Sequence, residues 1–126
     1  MFLEKGQSLI GTFTLRNAAD GRTIARTVEM AVTRGTRRRG LLGRTGLAPD
    51  HALLIAPCSS IHTWFMRFPI DVIFMARDGR VLKIRRAIPA WRMSASWGAY
   101  AVVEMASGAI ARTGVTTADR LELVER

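Results

Sequence analysis

Apolar and polar residues alternate along the first part of the chain. From Ser8 to Arg16, Leu9, Phe13 and Leu15 fall on one side and Ser8, Thr12, Thr14 and Arg16 on the other, the two-residue period of a half-buried strand. Asn17 to Gly21 supplies an Asp-Gly turn. Beyond it Ile24, Val28, Met30 and Val32 are interleaved with Thr23, Thr27 and Glu29, so the first third predicts a β-hairpin. Thr33 is placed to cap a short helix over Arg34 to Leu42, docked by Leu41 and Leu42 and stopped at Gly43 or Gly46. Leu53 to Ala56 is a brief apolar run between Pro49 and Pro57, which favours a short strand over a helix.

The second half repeats the pattern. Ile70 to Ala76 and Val81 to Ile88 are rich in strand formers and are joined by Asp78-Gly79, a second hairpin signal. Pro89 to Gly98, with Trp91, Met93 and Trp97 among small residues, reads as a covering loop. Ala99 to Met105 predicts a strand, Ser107 to Arg112 a turn or one helical turn, and Leu121 to Val124 a closing strand. About six or seven strands, one or two short helices and no strand-helix alternation predict a mainly β fold, a single-domain β-sandwich or distorted barrel. No repeat, low-complexity segment or linker is visible, so residues 1–126 are expected to form one domain.

Composition narrows the function classes. A single cysteine, Cys58, excludes an intrachain disulfide, and the fold must rest on its core and hydrogen bonds. Neither a signal peptide nor a membrane helix is legible, so a soluble, cytoplasmic protein without a membrane partner is expected. The formal net charge is +9, with 19 basic against 10 acidic residues, and Lys5 and Lys83 are the sole lysines. Arginine binds phosphate and carboxylate bidentately, which points to an anionic partner; the even spread of arginines along the chain points instead to compositional bias. Arg34, Arg37, Arg38 and Arg39 would give weak attraction to nucleic acid through phosphates. The competing reading is a solvated helix face paired with acidic residues such as Glu29.

Cys58 to Met75 is the densest stretch chemically. It holds the only cysteine, one of two histidines, one of three tryptophans and a Pro-Ile-Asp corner. A loop ending at Pro69 is expected to bring Cys58, His62, Thr63, Arg67 and Asp71 around one mouth, with Trp64, Phe65 and Met66 as its apolar wall. In that arrangement His62, Thr63 and Arg67 make polar contacts, and Trp64 and Trp91 supply stacking surface. Asp71 holds the corner, either by accepting backbone N–H bonds or by pairing with Arg67. The competing readings are internal pinning of the loop by His62 and Thr63, core packing for the rings, and a small buried hydrophobe for Cys58.

Cys58 and His62, spaced C-x-x-x-H, are half of a zinc site or a thiol-imidazole pair. Zinc wants four ligands, or three and a water, and only His51, Asp71 and Glu104 remain as donors. No oxyanion donor or orienting partner is recognisable, so no metal, cofactor or catalytic residue is expected. The chain therefore reads as a binding or accessory module taking a small polar or anionic ligand or a peptide at the 58–71 and 89–98 loops. The alternatives are a weak nucleic-acid-binding protein and a Cys/His-centred hydrolase or metal enzyme.

R-G-L-L-G-R (Arg39 to Arg44), I-H-T-W-F-M-R-F-P-I-D-V-I-F (Ile61 to Phe74), D-G-R-V (Asp78 to Val81), P-A-W-R (Pro89 to Arg92) and V-V-E-M-A-S-G (Val102 to Gly108) form an ordered set. In order and spacing the set resembles the prokaryotic domain of unknown function family numbered 192, over roughly residues 23 to 124, and specifically its histidine-threonine branch. The resemblance implies a mainly β, sandwich-like domain and brings no activity, ligand or catalytic residue with it. Ala118-Asp119 stands where similar sequences often have Gly-Asp, a departure confined to the turn into the last strand. Some members of the family bear a secretion signal or lipoprotein leader; none is legible here.

Overall fold

Three segments, His51–Ile55, Ile70–Met75 and Ala101–Ala106, present apolar side chains on both of their alternating faces, and such strands must lie between two layers. The computed structural model describes residues 13–125 and places these segments at the centre of a sheet. In chain order the described residues form β1 (Phe13–Asn17), β2 (Thr23–Ala31), α1 (Arg34–Arg39), β3 (His51–Ile55), β4 (Ser60–His62), β5 (Ile70–Met75), β6 (Val81–Ile88), β7 (Met93–Ala95), β8 (Ala101–Ala106), α2 (Ala109–Thr113) and β9 (Leu121–Glu125). Residues 8–12 of the first expected strand lie outside the described residues.

Seven strands make one curled sheet, a half-barrel in the order β6-β5-β8-β3-β2-β1-β9, while β4 and β7 pair separately. Its two edges meet at one end, where the Val81 N–H donates to the Asp119 carbonyl at 3.0 Å and the Leu121 N–H to Gly79 at 2.9 Å. The fold is thus mainly β with two short helices, as alternation predicts, and takes the barrel-like of the two expected architectures. One buried cluster draws on Phe13, Leu15, Leu54, Ile73, Val103, Leu121 and Ile110 of α2. The other face of the same strands carries Leu53, Ile55, Val72, Phe74 and Val102 against Leu41 and Ile61. Among the described residues no helix is long and apolar enough to cross a membrane.

Three features depart from the sequence reading, the first being that the segments expected as loops after Cys58 and after Pro89 contain the paired strands β4 and β7. The β2–β3 pair is parallel, so the chain crosses over through α1, although no strand-helix alternation is visible in the sequence. The reason is that α1 has six residues and buries none of them, and hence carries no apolar period. Thr33 does cap it: its Oγ1 accepts the Thr36 N–H at 3.1 Å, and the Thr36 Oγ1 accepts the Thr33 N–H at 3.1 Å. The helix stops at Gly40, with φ of 50°, earlier than the expected Gly43 or Gly46. Leu41 is then buried and Leu42 exposed.

Asp71 braces the centre. Its side chain is buried and its carboxylate accepts three backbone N–H groups, from Ala87 at 2.8 Å, Gly108 at 3.1 Å and Ile110 at 2.9 Å. The β5–β6 register shifts between Ile70 and Val72, which leaves an extra residue in β6 and Ala87 at φ of 49°. Helix α2 starts at Gly108 with no side-chain cap of its own, so Asp71 caps it from a different strand. Replacing Asp71 by Ala strands three buried donors, and the expected loss is about 3–5 kcal/mol. Urea unfolding of Asp71→Ala checks this; a loss below about 1 kcal/mol would show that the carboxylate does not brace the fold.

Candidate functional site

The loop after β4 is fixed by Thr63, which is fully buried. Its Oγ1 donates to the Pro89 carbonyl at 2.6 Å and accepts the Arg92 N–H at 2.9 Å. Its own N–H donates to the Arg92 carbonyl at 2.8 Å, and its carbonyl accepts the Trp91 N–H at 3.1 Å. The 63–66 and 89–92 loops are therefore clipped together. The clip holds Phe65 at φ of 64° and Trp91 at φ of 65°, a region bulky residues avoid, with both rings exposed and packed edge to face at 4.6 Å.

A cavity of about 230 Å³ opens elsewhere along β4. Its walls are Arg37 to Leu42 from α1 and the turn after it, Ile55 of β3, and the stretch from Cys58 to Met66, through Ser60, Ile61, His62 and Trp64. Glu104 of β8 completes it. Opposite Glu104 on the neighbouring strands stand Leu53 and Val72, so this carboxyl enters an apolar layer. Only 4% of the residue is exposed, and it forms no hydrogen bond or ion pair with any described residue. Every fully enclosed side-chain N or O atom among the described residues has a partner. The Glu104 oxygens, which have none, therefore open onto the cavity.

Burial pushes the Glu104 carboxyl up to about 7, against the pull of the Arg44 guanidinium. Arg44 itself is held bidentately by Glu29, at 2.7 and 3.1 Å, which keeps the Glu29 carboxyl below its ordinary range. Glu29 thus pairs with Arg44 beyond the helix rather than with the arginines of α1. Burial also raises the Cys58 thiol, whose Sγ donates to the Ser60 carbonyl at 3.1 Å, so the sulfur sits in the cavity wall as a neutral donor. The His62 ring lies 4.8 Å from that of Trp64, tilted by 31°. Arg37 donates to the Pro57 carbonyl at 3.2 Å and ties α1 to the loop before β4.

Of the residues singled out from sequence, the cavity gathers Cys58, His62, Trp64 and Met66. Thr63 is engaged in the clip, Trp91 stacks on Phe65 away from the cavity, and Arg67 is exposed with no ion pair among the described residues. Asp71 points to the opposite face of the sheet from Glu104, since its neighbours Ile70 and Val72 belong to the cavity-side cluster. His62, Arg67 and Asp71 therefore do not converge; Asp71 accepts backbone N–H groups of Ala87, Gly108 and Ile110, not the Arg67 guanidinium. Glu104 and the Arg37 to Leu42 wall were not anticipated as one site. The signal for Glu104 was present, as the single charge inside the apolar strand A-V-V-E-M-A. No three His, Cys, Asp or Glu side chains among the described residues are placed to hold a metal.

A half-barrel with a two-stranded sheet folded over one face, and a cavity lined from both, defines the class of protein. The model of the uncharacterised family DUF192 (Uncharacterized ACR) matches residues 15–123, and the chain belongs to that family. A crystal structure of a proposed transcription regulator from Sinorhizobium meliloti is similar at 31% identity and a TM-score of 0.77, covering 88% of this chain and 91% of that one. A protein of unknown function from Novosphingobium aromaticivorans shares the fold at 24% identity and a TM-score of 0.75, covering 88% and 83%. No curated protein matches.

The raised Glu104 carboxyl has a definite effect on stability. Between the ordinary value of 4.5 and about 7 the folded state holds this proton more tightly than the unfolded state, so the contribution is complete at low pH and is lost as pH rises through 7. The cost of the ionised form is on the order of 3 kcal/mol. Glu104→Gln should therefore be more stable than the parent at pH 8 by about 2–3 kcal/mol and nearly equal to it at pH 4.5. Urea unfolding at the two pH values measures it, and a difference independent of pH would contradict the buried, unpaired state of Glu104.

Proposed function

We propose that this chain is a binding module for a small polar ligand, received in the cavity floored by Glu104 and walled by His62, Trp64 and the Arg37 to Leu42 segment. The observation that carries this reading is Glu104 itself. Buried carboxylates are ordinarily hydrogen-bonded or paired, because leaving one without a partner costs several kcal/mol. One that is 4% exposed, unpaired and open to a cavity is held at a cost that a ligand can offset. The volume equals that of about eight water molecules, which suits a compact metabolite. A thiolate mechanism finds less support, since Cys58 is held neutral and donates to Ser60, and no hydrogen bond joins it to His62 among the described residues.

A nuclear magnetic resonance screen against amino acids, sugars, nucleosides and small organic acids tests the reading. At least one class should shift the Trp64 indole and the His62 ring together, and the shifts should disappear when Glu104→Leu removes the carboxyl from the cavity floor. A library that leaves both groups unmoved sinks the proposal.

A second reading, contact with nucleic acid, draws on the exposed Arg34, Arg38 and Arg39 and on the transcription-regulator description of the Sinorhizobium meliloti relative. At six residues α1 is only about 9 Å long, short for a helix that must lie along a groove and read base edges. Its arginines would touch phosphates. Affinity for random-sequence duplex DNA should be weak, and log K should fall with log salt at a slope of about −3 to −4, for about four contacts. Sequence-selective binding that survives high salt would place this reading ahead of the first.

A further inference from the structure

The cavity carries opposite charges at its two ends. Glu104 closes the inner end, while the exposed Arg38 and Arg39 and the half-buried Arg37 line the outer one. Leu41, Ile55, Ile61 and Met66 give the same cavity an aliphatic wall. Resting on the binding reading above, we propose that the ligand is a small zwitterion of the amino-acid type, bound amine first. Its ammonium meets the Glu104 carboxylate, its apolar body lies along the aliphatic wall and against Trp64, and its acid group stays with the arginines at the mouth.

The layout excludes the simpler classes one by one. An anion without an amine gains from the arginines but leaves Glu104 unpaired, or meets its charge at depth. A cation without an acid group reaches Glu104 only by passing three arginines that repel it. A neutral polyol needs several hydrogen-bonding partners, yet among the buried and half-buried side chains on the β-sheet side of the cavity Glu104 is the one polar group left unengaged, the Cys58 thiol donating to Ser60. A molecule that carries both charges satisfies both ends. An ammonium also has more than one donor for the two carboxylate oxygens.

The groups facing Glu104 set its response to pH. Arg37, Arg38 and Arg39 stand on α1, Arg44 beyond it is occupied by Glu29, Cys58 and His62 face the cavity from the loop after β3 and from β4, and β3 and β5 present the uncharged Leu53 and Val72. Burial keeps the carboxyl protonated up to about pH 7 in the empty cavity, and an ammonium requires the ionised form. Affinity should thus fall about tenfold per pH unit below that point.

Calorimetric titration of the full chain with a matched set of probes tests the proposal: L-norleucine, hexanoate, which lacks the amine, pentylamine, which lacks the acid group, and methyl glucoside. Norleucine should bind, and each half-ligand should bind about tenfold or more weakly. Norleucine affinity should fall about 50-fold from pH 7 to pH 5 in the parent and in His62→Gln, and lose that dependence together with most of its strength in Glu104→Gln. The double variant Arg38→Gln, Arg39→Gln, altered only at exposed positions, should weaken norleucine but not pentylamine. Hexanoate or the glucoside binding as tightly as norleucine overturns the amine-first assignment while leaving the cavity as a binding site. So does norleucine binding that ignores Glu104→Gln in a variant whose spectrum remains folded. Binding by none of the four overturns this inference, and the broader metabolite screen then decides the binding reading separately.

Discussion

Three backbone N–H groups that neither ladder nor helix can satisfy converge on one carboxylate, that of Asp71 in the middle of β5. One belongs to Ala87 at the β6 bulge, and two belong to the first turn of α2. Without an acceptor there, the bulge would bury an unpaired donor and α2 would start uncapped in an apolar layer. The bulge bends the end of β6 just before Pro89, where the chain leaves the sheet for the loop that carries Trp91 and leads into β7. Thr63 then receives that loop, and the small β4–β7 sheet is laid over the face of the half-barrel. The cover that makes the cavity thus depends on a contact made on the opposite face.

The two buried carboxylates of the central strands show how strongly context decides the state of an acid. Asp71 and Glu104 lie on adjacent strands, opposite Met105 and Val72 respectively, and so point to opposite faces. On one face α2 supplies N–H donors at hydrogen-bond distance. On the other, the turn after α1 and β4 supply aliphatic side chains, a thiol already bonded to Ser60, and open volume. Gly40 belongs to this arrangement: a Cβ there would stand 3.7 Å from the Glu104 Oε1, and its φ of 50° is one that a side chain disfavours. The backbone passes close to the carboxyl without filling the space beside it.

Exposed aromatic surface is the other consequence of the clip. Phe65 and Trp91 are 67% and 57% exposed, both at positive φ, and the hydrogen bonds of Thr63 hold both in place. Hydrophobic burial would draw these rings inward, so the local hydrogen bonding of two crossing loops overrides it here. The rings sit apart from the cavity, and the stacking surface at its mouth is left to Trp64 with His62 beside it.

Local pattern was enough for much of this fold. The β1–β2 and β5–β6 hairpins, the Thr33 cap, the short α2 and the mainly β class follow from alternation and turn residues, whose physics acts over a few positions along the chain. That Asp71 accepts backbone N–H groups was among the readings its sequence allowed, but the donors, Ala87, Gly108 and Ile110, lie 16 to 39 positions away and were set by the tertiary structure. The density of polar chemistry from Cys58 to Met66 located one wall of the cavity. What the chain order cannot encode locally is which residues meet at long range. The parallel β2–β3 pair, the three-residue strands β4 and β7, and the approach of Arg37 to Leu42 toward Glu104 all join positions far apart in sequence, through elements too short to show a period. Glu104 is the sharpest case: alternation determined that it shares a face with Val102, but whether that face would supply a partner or a cavity was decided only when the segments above it packed.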